Sequence, residues 1–403
     1  MLSRLRRKIE TSFLPLPLSI IVASSPLPPL STLILLARLK AYSLPEEPVD
    51  PEELKDEGYA GEFVEFYGEV LHAQRTGRRE GVRDFVERKL AEAKSALELM
   101  DYNVSTLIEV LVALTIVVPL TVGSVAVFVE PRFFVPLTLV VCALAFLISL
   151  LSSITVVPPE LWLPPPRLYA FLPLLSYPLL HHFLKSPSQA LIISTLPSAI
   201  LVLLEQRGKL KTLKEAEEYV RRASTSRNPL LAGIEDLDIL LDRRFFGVGR
   251  AAAAALYVLF TQGGRRYGEG VAFLRKTLRS YLDTFRGVRR KAATSFLYAL
   301  IMACLSAASM AFLLSSLFVL AGIPTGGFMG GFRAPTYEEV EGLIAGVDLY
   351  VAITALTYSV SVAALRDGNP LYFPLYLAPL VSASYASYVL ALEYAPAIFG
   401  WGA

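Results

Sequence analysis

Two charged blocks with helical periodicity, at 50–104 and 205–292, interrupt a chain that is otherwise apolar, and each runs straight into a hydrophobic stretch. In the first block Val82, Phe85, Val86, Leu90, Ala93, Leu97 and Met100 recur at three- and four-residue spacing, which predicts a long amphipathic helix with one buried stripe. Ahead of it, Arg75–Arg79 with Gly77 breaks the pattern and marks a helix–turn–helix connection, so the block reads as an antiparallel helical pair. In the second block Thr212 with Glu215 has the form of a capping box opening one helix. Asn228 followed by Pro229 has the form of a cap and first helical position for the next. A third helix is expected from about Arg250 to Thr261, stopped by Gly263 and Gly264, and a fourth from about Gly268. The stripe of this last helix is Val271, Leu274, Leu278, Leu282, Phe285 and Val288, and it meets no strong breaker before the apolar run at 293.

The apolar runs predict membrane spans near 105–129, 133–157, 168–184, 188–204, 293–321, 348–365 and 371–393, because a span needs about 20 apolar residues. At the N-terminus, Arg4, Arg6, Arg7 and Lys8 precede an apolar stretch at 13–37, as in a signal peptide, but no small-residue cleavage site leads into a soluble domain. The stretch is therefore expected to be retained. Pro15, Pro17, Pro26, Pro28 and Pro29 divide it, so it is a tight hairpin, a re-entrant segment or one kinked span. The expected fold class is all-α, a polytopic membrane protein with two cytoplasmic helical-bundle modules. Its divisions are a basic segment and Pro-rich membrane hairpin at 1–42, module one at 43–104, four spans within 105–204, module two at 205–292 and three spans within 293–403.

Charge orients this layout. With these spans, 35 of the 38 Lys and Arg residues fall on one side, and only Arg132, Lys185 and Arg333 on the other. The positive-inside rule then puts both blocks in the cytoplasm of a multi-pass cell-membrane protein and the C-terminus outside. Only 18% of the chain is charged, against about 25% for a soluble domain, and the net charge of +2 says little because the charges are sorted by side. Cys142 and Cys304 both fall in predicted spans, which argues against a disulfide framework. Few amides, and 27 Arg against 11 Lys, lean towards a thermophile.

Both blocks share a plan of helical hairpin, basic turn with glycine, and long amphipathic helix feeding a span, which suggests a duplication seen in layout alone. Two helical bundles that each lead into membrane spans resemble the type II secretion system F domain. That family forms the membrane platform of type II secretion, type IV pili, Tad pili and archaella, and its archaeal members commonly carry extra spans. The local match is TQGGRRYGEGVAFLRKTLRSYLDTFRGVRRKA, Thr261–Ala292, with RNPLLAGIEDL from Arg227 similar to the turn that opens a preceding helix. The first block matches more loosely, through AQRTGRREGVRDFV. The resemblance implies a platform without catalytic activity or cofactor. Its expected partners are a hexameric secretion ATPase on the cytoplasmic side, pilin-like subunits in the membrane, lipid, and further copies of itself as a dimer or trimer, with no direct nucleic-acid contact.

Candidate chemistry is sparse. No G-x-x-x-x-G-K-[ST] is present, so nucleotide hydrolysis is not expected. The run GIPTGGFMGGF at 322–332 lacks the lysine and reads as an external loop or a contact for a filament subunit. His181 and His182 have no Cys or carboxylate at ligand spacing and read as interfacial anchors, so neither metal ligands nor catalytic residues are expected. The basic turns are the candidates for docking an ATPase: Arg75, Arg78 and Arg79 around Gly77, and Arg265 and Arg266 after Gly263 and Gly264. The plainer alternative is a solvated surface or contact with anionic headgroups. Glu109, one to two turns into a span, is either hydrogen-bonded within the bundle or a contact for a positive group on an incoming pilin. A transporter and a membrane enzyme are the other classes weighed. The first would need an ionisable array along a path, the second a cluster of His, Asp or Glu at the membrane face.

Overall fold

The computed structural model of the chain describes residues 2–129, 133–155, 157–321 and 335–398, and these contain no strand. The first helices are α1 (Leu2–Ser12), α2 (Pro15–Ser24), α3 (Pro29–Arg38), α4 (Pro51–Asp56), α5 (Gly61–Thr76) and α6 (Glu80–Val112). A π-helical turn, Ala113–Val117, joins α6 to α7 (Val118–Val129), and α8 (Phe134–Thr155) follows. After a 3₁₀ segment, Leu168–Ser176, come α9 (Tyr177–Leu184), α10 (Pro187–Ala223) and α11 (Gly247–Gln262). The chain ends with α12 (Tyr267–Ala321), α13 (Tyr337–Asp367) and α14 (Phe373–Ile398). They form two units. One, the charged unit, comprises Met1–Leu97, Pro159–Leu161 and Arg207–Gly287; the other, the apolar unit, comprises Glu98–Pro158, Trp162–Gln206 and Val288–Ala403.

Most of both charged blocks belongs to the one charged unit. Lys276 reaches Glu87 at 3.2 Å, and the Arg83 guanidinium lies over the Phe273 ring at 5.4 Å. The centre of this unit is the stretch expected as a membrane hairpin. All ten residues of α2 are buried, and α2 packs along α11, whose alanine run Ala251–Ala255 lets the two backbones approach. A ten-residue apolar helix is short for a span and suits a buried core element. Its turn to α3 bends by 116°. The stripe of α12 is buried over Val271–Val288 as its spacing predicts, and that of α6 is buried at Val82, Phe85, Val86, Ala93 and Met100.

Two helix starts differ from expectation. Thr212 caps nothing, because α10 is already helical there; its hydroxyl donates to the Lys209 carbonyl instead. Asn228–Pro229 opens a turn rather than a helix: the Asn228 side chain accepts from Leu230 N–H, and Gly233 at φ +75° closes the turn.

Among the described residues, six helices are long and apolar enough to cross a membrane, and a seventh if the bent pair α2–α3 counts as one. This fits a multi-pass membrane protein. The expected span at 168–184 is not such a helix: Pro173 and Pro178 leave a 3₁₀ segment followed by only two turns of α-helix. Its ends nonetheless lie far apart. Leu163 N–H donates to the Asp367 carbonyl, while Ser186 Oγ donates to the Asp348 carboxylate. Those two aspartates are separated by roughly 28 Å along α13, close to the thickness of a hydrocarbon core of about 30 Å. The irregular leg thus bridges a comparable distance, with Leu168, Leu172, Leu175, Leu179 and Phe183 exposed along it. Glycine allows one close approach in this unit: a Cβ on Gly346 would collide with the Val135 side chain, so α8 and α13 meet there without one.

Candidate functional site

The basic turns lie in the charged unit. Helix α5 ends where Gly77 adopts φ +70°, a left-handed conformation that a side chain would strain. Gly263 is buried, with Leu259 O and Tyr267 against the position its Cβ would take, and Gly264 at φ +47° turns the chain into α12. Both turns thereby hold arginines at helix ends, where backbone geometry fixes their direction.

The structure brings the two turns together, through Arg79 and Arg266. The Arg79 guanidinium is half-buried and donates to the carbonyls of Ser25, Pro26 and Leu27, the turn between α2 and α3. Burial lowers its pKa from the usual arginine value, and the charges of Arg266 and Arg83 lower it further. Gln74 adds a bond to the start of α3, its Oε1 accepting from Leu30 N–H at 3.2 Å. Arg79 is thus a structural tie rather than a free docking residue. Arg75, Arg78, Arg265 and Arg266 are exposed, and among the described residues none has an ion-pair partner. Four unpaired guanidiniums on two turns that meet through Arg79 and Arg266 present a surface that attracts an acidic partner from a distance.

A second basic feature of the charged unit is a cleft of about 850 Å³ between the Ser224–Arg227 segment and α12. Arg227, Arg275, Lys276 and Arg279 line it, against one acid, Asp283. Tyr267 closes its floor by donating to the carbonyls of Ala223 and Ser226, each at 3.0 Å. The apolar stripe of α12 gave no sign of this cleft. The residues that complete the cleft lie some forty positions earlier, beyond the reach of helical periodicity.

Glu109 lies apart from these turns, in the apolar unit. It is exposed, accepts a hydrogen bond from Ser105 at 3.2 Å, and lines a groove of about 300 Å³ between the α6 and α12 segments of that unit. Lys291 and Tyr298 line the same groove. An exposed carboxylate and a half-buried lysine line one groove on span-length helices, a combination that can hold a charged or amphipathic partner segment.

The buried polar groups of the apolar unit were not legible in the sequence. Asp367 accepts from Gln206 Nε2 at 2.7 Å and from the Tyr376 hydroxyl at 2.6 Å, and Arg289 lies 3.5 Å away. Thr115 lies in the π-helical turn, and its hydroxyl donates to the Leu111 carbonyl at 2.7 Å. Its carbonyl accepts from Ser306 and Tyr350, and its hydroxyl pairs with Tyr358 at 3.0 Å. Cys142 and Cys304 are free thiols. His181 stacks on Tyr177, and no group of three or more His, Cys, Asp or Glu suited to a metal occurs among the described residues. The glycine run at 322–332 lies outside the described residues. No protein-family model, no curated protein and no solved structure matches the chain.

Proposed function

We propose that this chain is a non-enzymatic platform protein of a type IV pilus-like or type II secretion-like filament machine. In this reading it lies in the cell membrane as an oligomer, with its charged unit in the cytoplasm. It couples a hexameric secretion ATPase to the insertion of pilin-like subunits. The observation that carries the proposal is continuity: α6, α10 and α12 each contribute to both units without a helix break. A charged surface joined to membrane-length helices by unbroken rods is suited to passing a mechanical displacement. The unpaired Arg265 and Arg266 are the docking residues of this reading, and the Glu109 groove is its contact for a subunit.

The test is co-purification in detergent with the secretion ATPase of the same genome, reading co-elution and ATPase rate. Wild type is expected to bind and to stimulate. Reversing both Arg265 and Arg266 to Glu is expected to weaken binding about tenfold or more. Failure of the folded wild type to bind removes the platform reading, whereas undiminished low-salt binding by the double variant removes only the assigned site. A transporter reading draws on one observation, a buried carboxylate at Asp348 with an unpartnered oxygen.

A further inference from the structure

Two aspartates are buried on α13, and their surroundings differ. Asp367 has two neutral donors and an arginine. Asp348, 6% exposed, has one donor to its carboxylate: Ser186 Oγ, 2.5 Å from Oδ2. Ser188 Oγ donates to its backbone carbonyl at 3.1 Å. The other carboxylate oxygen, Oδ1, is buried without a hydrogen-bond partner, and among the described residues no Lys or Arg forms an ion pair with Asp348. The hydroxyl of Tyr388, 4% exposed, also lacks a partner and lies within electrostatic reach of Asp348. Gln189, from the same turn of α10, donates its amide to the Tyr385 hydroxyl at 2.6 Å. Three elements, the start of α10, the middle of α13 and the middle of α14, thus converge on a carboxylate whose second oxygen is unused.

An ionised carboxylate out of water costs several kcal/mol unless its charge is met, and a buried hydroxyl without a partner adds to that. At Asp367 a guanidinium meets the charge; at Asp348 no described residue does. We propose that Asp348 is the anionic ligand of a binding site for one monovalent metal cation of sodium type, with the Tyr388 hydroxyl as a second oxygen ligand. The ligand chemistry selects this class. Oxygen ligands suit hard cations. One carboxylate balances one positive charge, and the absence of a His, Cys, Asp or Glu triad among the described residues leaves a divalent or transition metal without its usual ligands. The site lies roughly 28 Å along α13 from Asp367, so it is distinct from the buried ion pair there. It is independent of the platform reading, and neither requires the other.

The experiment uses the purified full-length protein in detergent, freed of alkali cations by exchange into choline chloride. Thermal unfolding is then followed at constant ionic strength with increasing NaCl, KCl or CaCl2. A saturable rise in Tm with sodium, absent with choline, is expected. Asp348→Asn should abolish it, Tyr388→Phe should raise the half-saturating concentration about tenfold, and Glu109→Gln, an exposed acid elsewhere, should leave it intact. If Asp348→Asn does not fold, Tyr388→Phe decides: weaker half-saturation supports the site and an unchanged one overturns it. No sodium-specific shift in wild type overturns the proposal. So does a shift that survives Asp348→Asn, or one produced by calcium alone. Stabilisation by acid in choline with no response to sodium also overturns it.

Discussion

Among single residues, Arg79 shows most clearly how a charge that reads as free becomes committed. Its neighbours Arg75 and Arg78 are exposed, whereas its guanidinium is spent on three carbonyls of the α2–α3 turn. Apart from the Thr32 hydroxyl, which donates to the Leu27 carbonyl at 3.5 Å, no helical N–H serves those carbonyls, because Pro26, Pro28 and Pro29 keep the turn from closing on itself. Arg79→Ala should therefore destabilise the charged unit by about 1–3 kcal/mol, the cost of buried acceptors left unpaired. Arg79→Lys should recover only part of this, since an ammonium cannot span the same fork of acceptors. Arg78→Ala, one position away and exposed, should change stability by less than about 0.5 kcal/mol. Chemical unfolding followed by proteolysis at the 25–28 turn measures all three. Equal stability of the Arg79→Ala and Arg78→Ala variants would show that the tie contributes nothing. From sequence the three arginines look alike; what separates them is a turn fifty positions earlier.

For the helices, legibility follows the range of the interaction. The stripe of α12 was readable because Val271 to Val288 repeat within one helix. The burial of α2 was not, since a short apolar helix has the same composition in a membrane as inside a protein core. Thr212 misled for a local reason: its capping pattern with Glu215 is intact, but the preceding residues are already helical and leave no free N-terminus to cap. The links between α10, α13 and α14 were invisible because Gln206 and Asp367 are 161 positions apart. They also make a prediction for these helices. Asp367→Ala should leave Arg289, 16% exposed, without its carboxylate, at a cost of about 3–5 kcal/mol. Replacing both, as Asp367→Leu with Arg289→Met, should restore most of the loss, because a well-packed apolar pair often replaces a buried ion pair at little cost. The readout is Tm in one detergent across the three proteins. A double variant as unstable as the single one would mean that the aspartate acts through Gln206 and Tyr376 instead of through charge.

For the molecule as a whole, the question is what the shared helices transmit. Helix α12 runs for 55 residues, with Gly287 in the charged unit and Val288 in the apolar one. A straight α-helix resists bending because each turn is hydrogen-bonded to the next, and proline removes one such bond and clashes with the preceding turn. Arg290 is exposed and lies just beyond the boundary, so a substitution there alters the rod without emptying a core. On the proposed platform reading, Arg290→Pro should leave the charged unit able to bind a secretion ATPase and the apolar unit inserted, while filament assembly falls by at least about tenfold. Arg290→Ala, which keeps the hydrogen bond, should assemble at the wild-type level. The comparison separates two roles for the helix. If it is only a tether, a kink is tolerated and both variants assemble equally. If it transmits tilt or rotation, binding and assembly come apart in the proline variant alone. Retained binding with lost assembly is the signature of a coupling element. Loss of both would instead make α12 part of the docking surface, and the platform would have to act through α6 or α10.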